Sequence, residues 1–460
     1  MPPGRGVSVP VPDRLRLPMS STYADLESVL ADIRRLHPVL IDLSLGRIAV
    51  LLEKLGRPQD RLPPVIHVAG TNGKGSTVAY LKAMLEAGGL RAHTYTSPHL
   101  VRFNERIRLA GSDTGAEPIA LERLIELLRH TLAVNGEAPI TFFEITTAAA
   151  FLAFSEVPAD ALVLEVGLGG RLDATNVIDQ PAVSVITPVS IDHEDMLGGT
   201  LDLIAREKAG ILKRGRPAVI GPQPEEALDA IRDVARKIGA PLQVWGEDFE
   251  AFEQNGRLIF QHERRLIDLP LPGLLGRHQF ANAGTAVAAA LAFPALELRE
   301  DAIGAGIAAA RWPGRFSRLD AGPVVAVAGE HTEVWLDGGH NPSAGAALAQ
   351  ALADLDERAP KPIYLIVGMM ARKDAKNFLS PFSGLVRGLV TVPLPGHEEN
   401  AYSAADLAEI AESIGLDAIP EDDITSAIAT VEEQDVGPKR ILICGSLYLA
   451  GHVLAENCNG

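Results

Sequence analysis

Cysteine is nearly absent from this chain of 460 residues. Its two cysteines, Cys444 and Cys458, cannot build a disulfide framework, and no CxxC spacing suggests structural zinc or a redox pair. Such sparing use suits a reducing compartment, and the expected location is the cytoplasm. Basic residues are in deficit: Lys+Arg is 42 against an Asp+Glu of 59, a formal net charge of −17. That balance repels nucleic acid and anionic lipid and argues against both as main partners, while leaving room for a local basic pocket. No apolar run approaches the roughly 18 residues of a membrane helix. The opening MPPGRGVSVPVPDRLRLP is rich in proline and arginine and lacks the apolar stretch of a signal peptide. Residues 1–18 read as a disordered arm, with folded structure, and a second candidate translation start, at Met19.

What is present is enough to build large cores, since 47% of the residues are hydrophobic. This length supports two or three domains. Helical periodicity runs over 22–36 and 43–55, and PPVIHVAG reads as a buried strand. A glycine-rich turn follows, then a helix with Val78, Leu81, Met84 and Leu85 on one face, ended by Gly88-Gly89. Further strand-length runs lie at 90–97, 161–170 and 181–190, with helical patterns at 118–133 and 143–156. The alternation implies an α/β fold with a parallel sheet covered on both faces. The stretch 257–273 suggests a small antiparallel addition, and NAGTAVAAALAF a buried helix. Pro and Gly in ARWPGRFSRLD break the pattern before VVAVAG, TEVWLD, PIYLIVGMM, GLVTVPL and RILICGS, a new strand series interleaved with helices. The expected division is a P-loop ATPase domain over 19–310, a hinge at 311–316 and a smaller Rossmann-like α/β domain over 317–460.

The turn HVAGTNGKGST carries the first chemistry. A Walker A loop is GxxxxGK[ST], yet Val68 stands where its first glycine belongs and Gly75 follows Lys74. The physics survives the shift. Gly70, Gly73 and Gly75 let backbone N–H groups converge on a phosphate at a helix N-terminus, and Thr71 and Asn72 complete the cradle. Lys74 would meet the terminal phosphates, and a hydroxyl at Ser76 or Thr77 a phosphate or a metal. Glu165 is a carboxylate at the end of the apolar run ALVLE, where α/β sites form.

The variant GTNGKGS followed by TSPHL resembles the loop of the Mur ligase superfamily, ATP-dependent amide-forming enzymes. The branch it resembles most is folylpolyglutamate synthase/dihydrofolate synthase. The same resemblance runs through IDLSLGR (41–47), TSPHLVRFNERIR (96–108), TFFE (141–144), LEVGLGGRLDATN (164–176), DHEDMLG (192–198), REKAGI (206–211), PGRF (313–316), DGGHNP (337–342) and CGSLY (444–448). Relatives often carry alanine at the position of Gly339. The resemblance implies ATP and Mg²⁺, two ions by the family pattern, with Ser97, Glu165 and His193 as magnesium ligands. It also implies that Lys208 is carbamylated, which turns a cation into an oxygen donor for the second ion. Asn282 would contact the adenine side of ATP; Arg315 and Asp337 would bring the second domain onto the nucleotide, and His340 would help position ATP or glutamate. Dihydropteroate would lie against three segments: Ile41, Asp42 and Leu43; Thr141, Phe142, Phe143 and Glu144; and Leu172, Asp173 and Ala174. Phe142 or Phe143 could stack on the pterin, and Asp173 or Glu144 accept from its N–H groups.

The implied function is an ATP-dependent carboxylate–amine ligase that joins L-glutamate to dihydropteroate and to reduced folates through an acyl phosphate. Its catalytic groups would be Lys74, His193, Lys208 and Arg315. A monomer suffices, because two domains of one chain frame the site. The rivals are a Mur ligase acting on UDP-linked peptides, against which TFFE and RLDATN stand, and a P-loop ATPase switch, which leaves DGGHNP without a role.

Overall fold

The computed structural model describes residues 21–37, 42–111, 115–263, 265–293 and 297–458. The arm at 1–18 and Ile41 therefore lie outside the described residues. Strands β1 (Val65–Ala69), β2 (Ala92–Tyr95), β3 (Ile107–Ala110), β4 (Ala116–Pro118), β5 (Ala161–Glu165), β6 (Val183–Ile186), β7 (Ala218–Ile220) and β8 (Leu242–Val244) form one sheet in the order β4-β3-β2-β5-β1-β6-β7-β8. From β2 to β8 the neighbours are parallel; β3 and β4 add an antiparallel edge. Every residue of β1 and β5 is buried, as strands covered on both faces require. Alternation assigns the faces. Ile66, Val68 and Val163 pack with the helices Lys74–Ala87, His278–Leu291 and Glu300–Ala309. Val65, Leu162 and Leu164 pack with Ser21–Arg34, Gly46–Lys54, Leu121–Asn135 and Phe142–Glu156.

The antiparallel addition has three strands, β9 (Phe249–Gln254), β10 (Arg257–His262) and β11 (Arg265–Leu269), packed on the helix His278–Leu291. The pattern from residue 257 onward captures β10 and β11 and misses β9. Phe249 and Ala251 point into the core, but Glu250, Glu253 and Gln254 make FEAFEQ look polar.

A second sheet body contains β12 (Ser317–Leu319), β13 (Thr332–Leu336), β14 (Ile363–Val367), β15 (Gly388–Thr391), β16 (Ala418–Pro420) and β17 (Lys439–Cys444), ordered β12-β13-β17-β14-β15-β16. Only β12 is antiparallel to its neighbour. VVAVAG, expected to open this strand series, is instead a short helix over Pro323–Val327. Proline at its first turn and the left-handed Gly322 before it favour helix initiation over the strand preference of valine. Val324 is then buried against the helices Ile424–Gln434 and Leu447–Cys458. Among the described residues no helix is long and apolar enough to cross a membrane.

Candidate active site

The carboxyl ends of β1, β5 and β6 meet where the strand order reverses around β1, the place where open α/β sheets bind ligands. The glycine-rich turn leaves β1 there. Gly70 has φ 148° and Gly73 φ 85°, and a Cβ at Gly73 would stand 2.4 Å from Asn282 Oδ1. Only glycine permits both the backbone and the approach. The Thr71 and Asn72 N–H groups donate to Pro188 O, and Thr71 Oγ1 donates to Ser190 O at 3.0 Å. The loop is thus tied to the segment after β6. Helix Lys74–Ala87 begins behind Gly73 with no side chain capping it, leaving its N-terminus open to an anion. Lys74 Nζ donates back to Gly70 O and Thr71 O at 3.1 and 3.2 Å, holding a cation at the lip of the loop. Ser76 and Thr77 are both buried; Ser76 Oγ accepts from Gln279 Nε2 at 3.3 Å, and Gln279 Oε1 accepts from Asn282 Nδ2 at 3.1 Å.

Around this loop lies a cleft of about 410 Å³. The loop residues 70–76, Ser97, Glu165, His193, Lys208, Asn282, Arg315, Asp337 and His340 all line it. Residues scattered across the sequence from 70 to 340 therefore share one cavity. Glu165 is buried; that raises its pKa, countered by Lys74, the Ser97 N–H at 3.3 Å and Arg315. A carboxylate with so few hydrogen-bond donors is suited to a hard cation. His193 is pushed down to about 4, chiefly by burial, so its imidazole is neutral and free to ligate. Among the described residues no cluster of three His, Cys, Asp or Glu side chains could hold a metal. The set Ser97, Glu165 and His193 is instead a sparse one, which fits a magnesium ion that keeps waters and uses phosphate oxygens. Lys208 is only 4% exposed, and its Nζ donates to Gly70 O at 2.9 Å. Burial, and then the charge of Lys74, push it down to about 7. A solvent-facing lysine on that helix is thereby ruled out.

The second sheet body supplies the opposite wall. Asp337 directly follows β13; its Oδ2 accepts from the Phe316 N–H at 2.7 Å and its Oδ1 from the Gly339 N–H at 2.5 Å. Burial raises the Asp337 pKa, with Arg315 opposing. Gly339 fits tightly, since a Cβ there would come 2.8 Å from Asp337 Oδ1. His340 faces Asp192 at 3.8 Å and is pushed down to about 4 by burial and by Lys373. Asn341 caps the helix Pro342–Arg358 and exchanges hydrogen bonds with Asn72.

None of the residues expected to hold dihydropteroate is among those that line this cleft. Thr141 and Glu144 make a reciprocal cap for the helix Phe142–Glu156. Both oxygens of Glu144 also accept from Arg47 Nε at 3.2 and 3.0 Å, and Arg47 reaches Asp42 Oδ2 at 2.8 Å. Glu144 is occupied by its own fold. Asp173 is 1% exposed and closes its turn by accepting from the N–H groups of Leu168 and Thr175 and the Thr175 hydroxyl. Phe142 and Phe143 are both half-buried, Phe142 edge-on to Phe103 and Phe143 beside Tyr95. Leu43 and Leu172 are half-buried, Asp42 exposed and Ala174 buried. Sequence reasoning missed Arg47, Asp192, Gln279, Asn341 and Lys373. Arg47, Asp192 and Asn341 lie within the quoted motifs, and Gln279 three residues before Asn282, so proximity to those positions was the available signal; Lys373 had none.

A parallel sheet with an open glycine-rich loop, a buried carboxylate and lysine, and a second α/β body across the cleft define an ATP-dependent ligase of the Mur type. The comparisons agree. Residues 68–290 match the family model Mur ligase middle domain, and 323–456 match Dihydrofolate synthetase, C-terminal domain. The chain is 34% identical over 430 residues to the dihydrofolate synthase/folylpolyglutamate synthase of Escherichia coli, covering 93% of this chain and 94% of that one. It is 37% identical over 409 residues to the Mycobacterium tuberculosis protein of the same name, covering 82% and 79%. The solved E. coli protein in complex with DHPP and ADP superposes with a TM-score of 0.82 at 33% identity, over 95% of this chain and 98% of that one. A Yersinia pestis structure with AMPPNP and Mn gives 0.82 at 34%, over 95% and 99%. The chain belongs to the dihydrofolate synthase/folylpolyglutamate synthase family, ATP-dependent glutamate ligases of the bifunctional kind.

Proposed function

We infer that this chain joins L-glutamate to dihydropteroate and to the γ-carboxyl of reduced folates at the cleft described, as a cytoplasmic monomer. The observation that carries the reading is the convergence of the phosphate loop, Glu165, Lys208, Arg315 and Asp337 on one cavity. The acceptor carboxylate attacks the γ-phosphorus of ATP, giving an acyl phosphate and ADP. The glutamate amine adds to the acyl carbon, and the tetrahedral intermediate expels inorganic phosphate. Lys74 and Arg315 stabilise charge on the transferred group. The loop amides and Ser76 hold the phosphates, and Asn282 lies on the adenine side. Asp337 and His340 orient the nucleotide or the glutamate. Ser97, Glu165 and His193 would hold magnesium, which supplies charge screening and orientation of the phosphates. Lys208, as an uncharged amine, would add to CO₂ to form a carbamate with loss of a proton, and its oxygens would help hold a second ion. Support for that step is its burial and its position against the loop. The acceptor lies along Asp42–Leu43, Thr141–Glu144 and Leu172–Ala174, where Phe143 presents a half-buried ring. Segment 311–316 acts as the hinge.

The test is phosphate release from ATP with each component withheld in turn. Release should require the pterin or folate acceptor, glutamate and Mg²⁺ together. Rapid hydrolysis indifferent to both organic substrates would favour an ATPase switch instead.

A further inference from the structure

Asp192 gathers side chains from both bodies of the molecule. It lies in the segment after β6, and three of its neighbours come from the other side of the cleft. Lys373 Nζ, in the turn after β14, donates to Oδ1 at 2.5 Å. Asn341 Nδ2, after β13, donates to Oδ2 at 3.3 Å, and His340 Nε2 stands 3.8 Å away. From its own side, among the described residues, it accepts the His193 N–H at 2.9 Å, with the His193 ring 3.9 Å off. The Asp192 and Lys373 side chains are 11% and 10% exposed, so the pair is largely withdrawn from water. Asn341 continues the chain: its amide and that of Asn72 exchange two hydrogen bonds, at 3.2 and 3.0 Å, and Asn72 belongs to the phosphate loop. One carboxylate thus fixes the loop after β13 over the phosphate loop.

A buried ion pair adds little net stability, because desolvation offsets its attraction, but it penalises every arrangement that separates the partners. The polar chain therefore acts on register rather than on folding. We propose that Asp192 is a positioning residue that, through Lys373 and Asn341, sets the register of the C-terminal sheet over the phosphate loop and thereby keeps water from the acyl phosphate. This rests on the ligase reading above. Loss of the register should divert the acyl phosphate from the glutamate amine to water, so that phosphate is released without an amide bond.

The experiment measures phosphate released per amide bond formed, in the full-length protein with saturating ATP, acceptor and glutamate, for Asp192→Asn, Lys373→Gln and the double variant. The parent should release one phosphate per amide, and each single variant several. Lys373→Gln leaves all four candidate metal ligands in place, so its ratio should rise with no change in the Mg²⁺ requirement. Each single change strands a buried charge that the double change removes, so the double variant should recover part of the lost kcat/KM, with a non-additive term of about tenfold. Parent-like ratios in both singles with native circular dichroism would overturn the proposal, as would purely multiplicative effects. A raised KM for glutamate at an unchanged ratio would make Lys373 a substrate contact and overturn it too. A parent protein with no glutamate-dependent phosphate release would instead sink the ligase reading, whatever the variants do.

Discussion

Single side chains here are set by what surrounds them. Lys74 and Lys208 both donate to Gly70 O of one loop, yet one sits half-buried at its lip and the other is sealed beneath it. On the proposed mechanism Lys74→Ala removes a cation used most in the transition state, so kcat/KM should fall by about 10²-fold or more. The fold should persist, since a loop lysine contributes little core area; parent-like kinetics in a folded variant would refute the loop assignment. Lys208→Ala should abolish activity, and added short carboxylic acids should restore part of it by placing a carboxylate in the vacated space. Lys208→Arg should stay inactive, because guanidinium keeps its charge and offers no oxygen. An unmodified Lys208 in electron density from an active crystal supplied with CO₂, Mg²⁺ and nucleotide would rule out the carbamate.

Elements carry the next layer. Strand β1 delivers the phosphate loop and also buries His67, which is 0% exposed with its Nε2 2.9 Å from Thr175 Oγ1. Burial, helped by the charge of Lys213, pushes His67 down to about 3. The unfolded chain protonates this imidazole near its ordinary value of 6.5, whereas the folded chain resists until about 3. Stability is therefore full above pH 6.5 and is lost as the pH falls toward 3. At pH 5 the loss from this one group is about 2 kcal/mol. Urea unfolding at pH 7 and pH 5 should show a steeper acid decline for the parent than for His67→Gln; identical slopes would remove His67 from the account. The helix Phe142–Glu156 depends on the Thr141–Glu144 cap, so Thr141→Ala should cost about 1 kcal/mol. That cap explains why the TFFE motif is legible in sequence while its function is not: the same Thr and Glu are what any well-made helix start requires. Arg47, nearly a hundred positions away, is what saturates Glu144.

In the molecule as a whole, two α/β bodies line one cleft. Arg311 and Arg315 bracket the connecting segment, and both offer tryptic sites. ATP with Mg²⁺ should slow cleavage there by favouring the closed arrangement, read as the half-life of the intact chain on a gel. An unchanged half-life at saturating nucleotide would count against closure about 311–316. The Asp192 register belongs to this scale, because its partners come from opposite bodies.

The sequence by itself determined the alternation of elements, the family and the identity of the phosphate loop. Those depend on local periodicity and on glycines whose backbone angles other residues rarely adopt. The structure decided what depends on distant segments meeting. VVAVAG became a helix because Gly322 and Pro323 begin one and neighbouring helices bury Val324. FEAFEQ became a strand because it pairs antiparallel with β10 and buries Phe249 and Ala251 in the core. Lys208 became a buried amine, rather than the solvated lysine its helix suggests, because the phosphate loop folds over it. Lys373 carried no signal at all, since a lysine on a turn is ordinary until the tertiary fold brings a carboxylate from the other body to within 2.5 Å and excludes water from both.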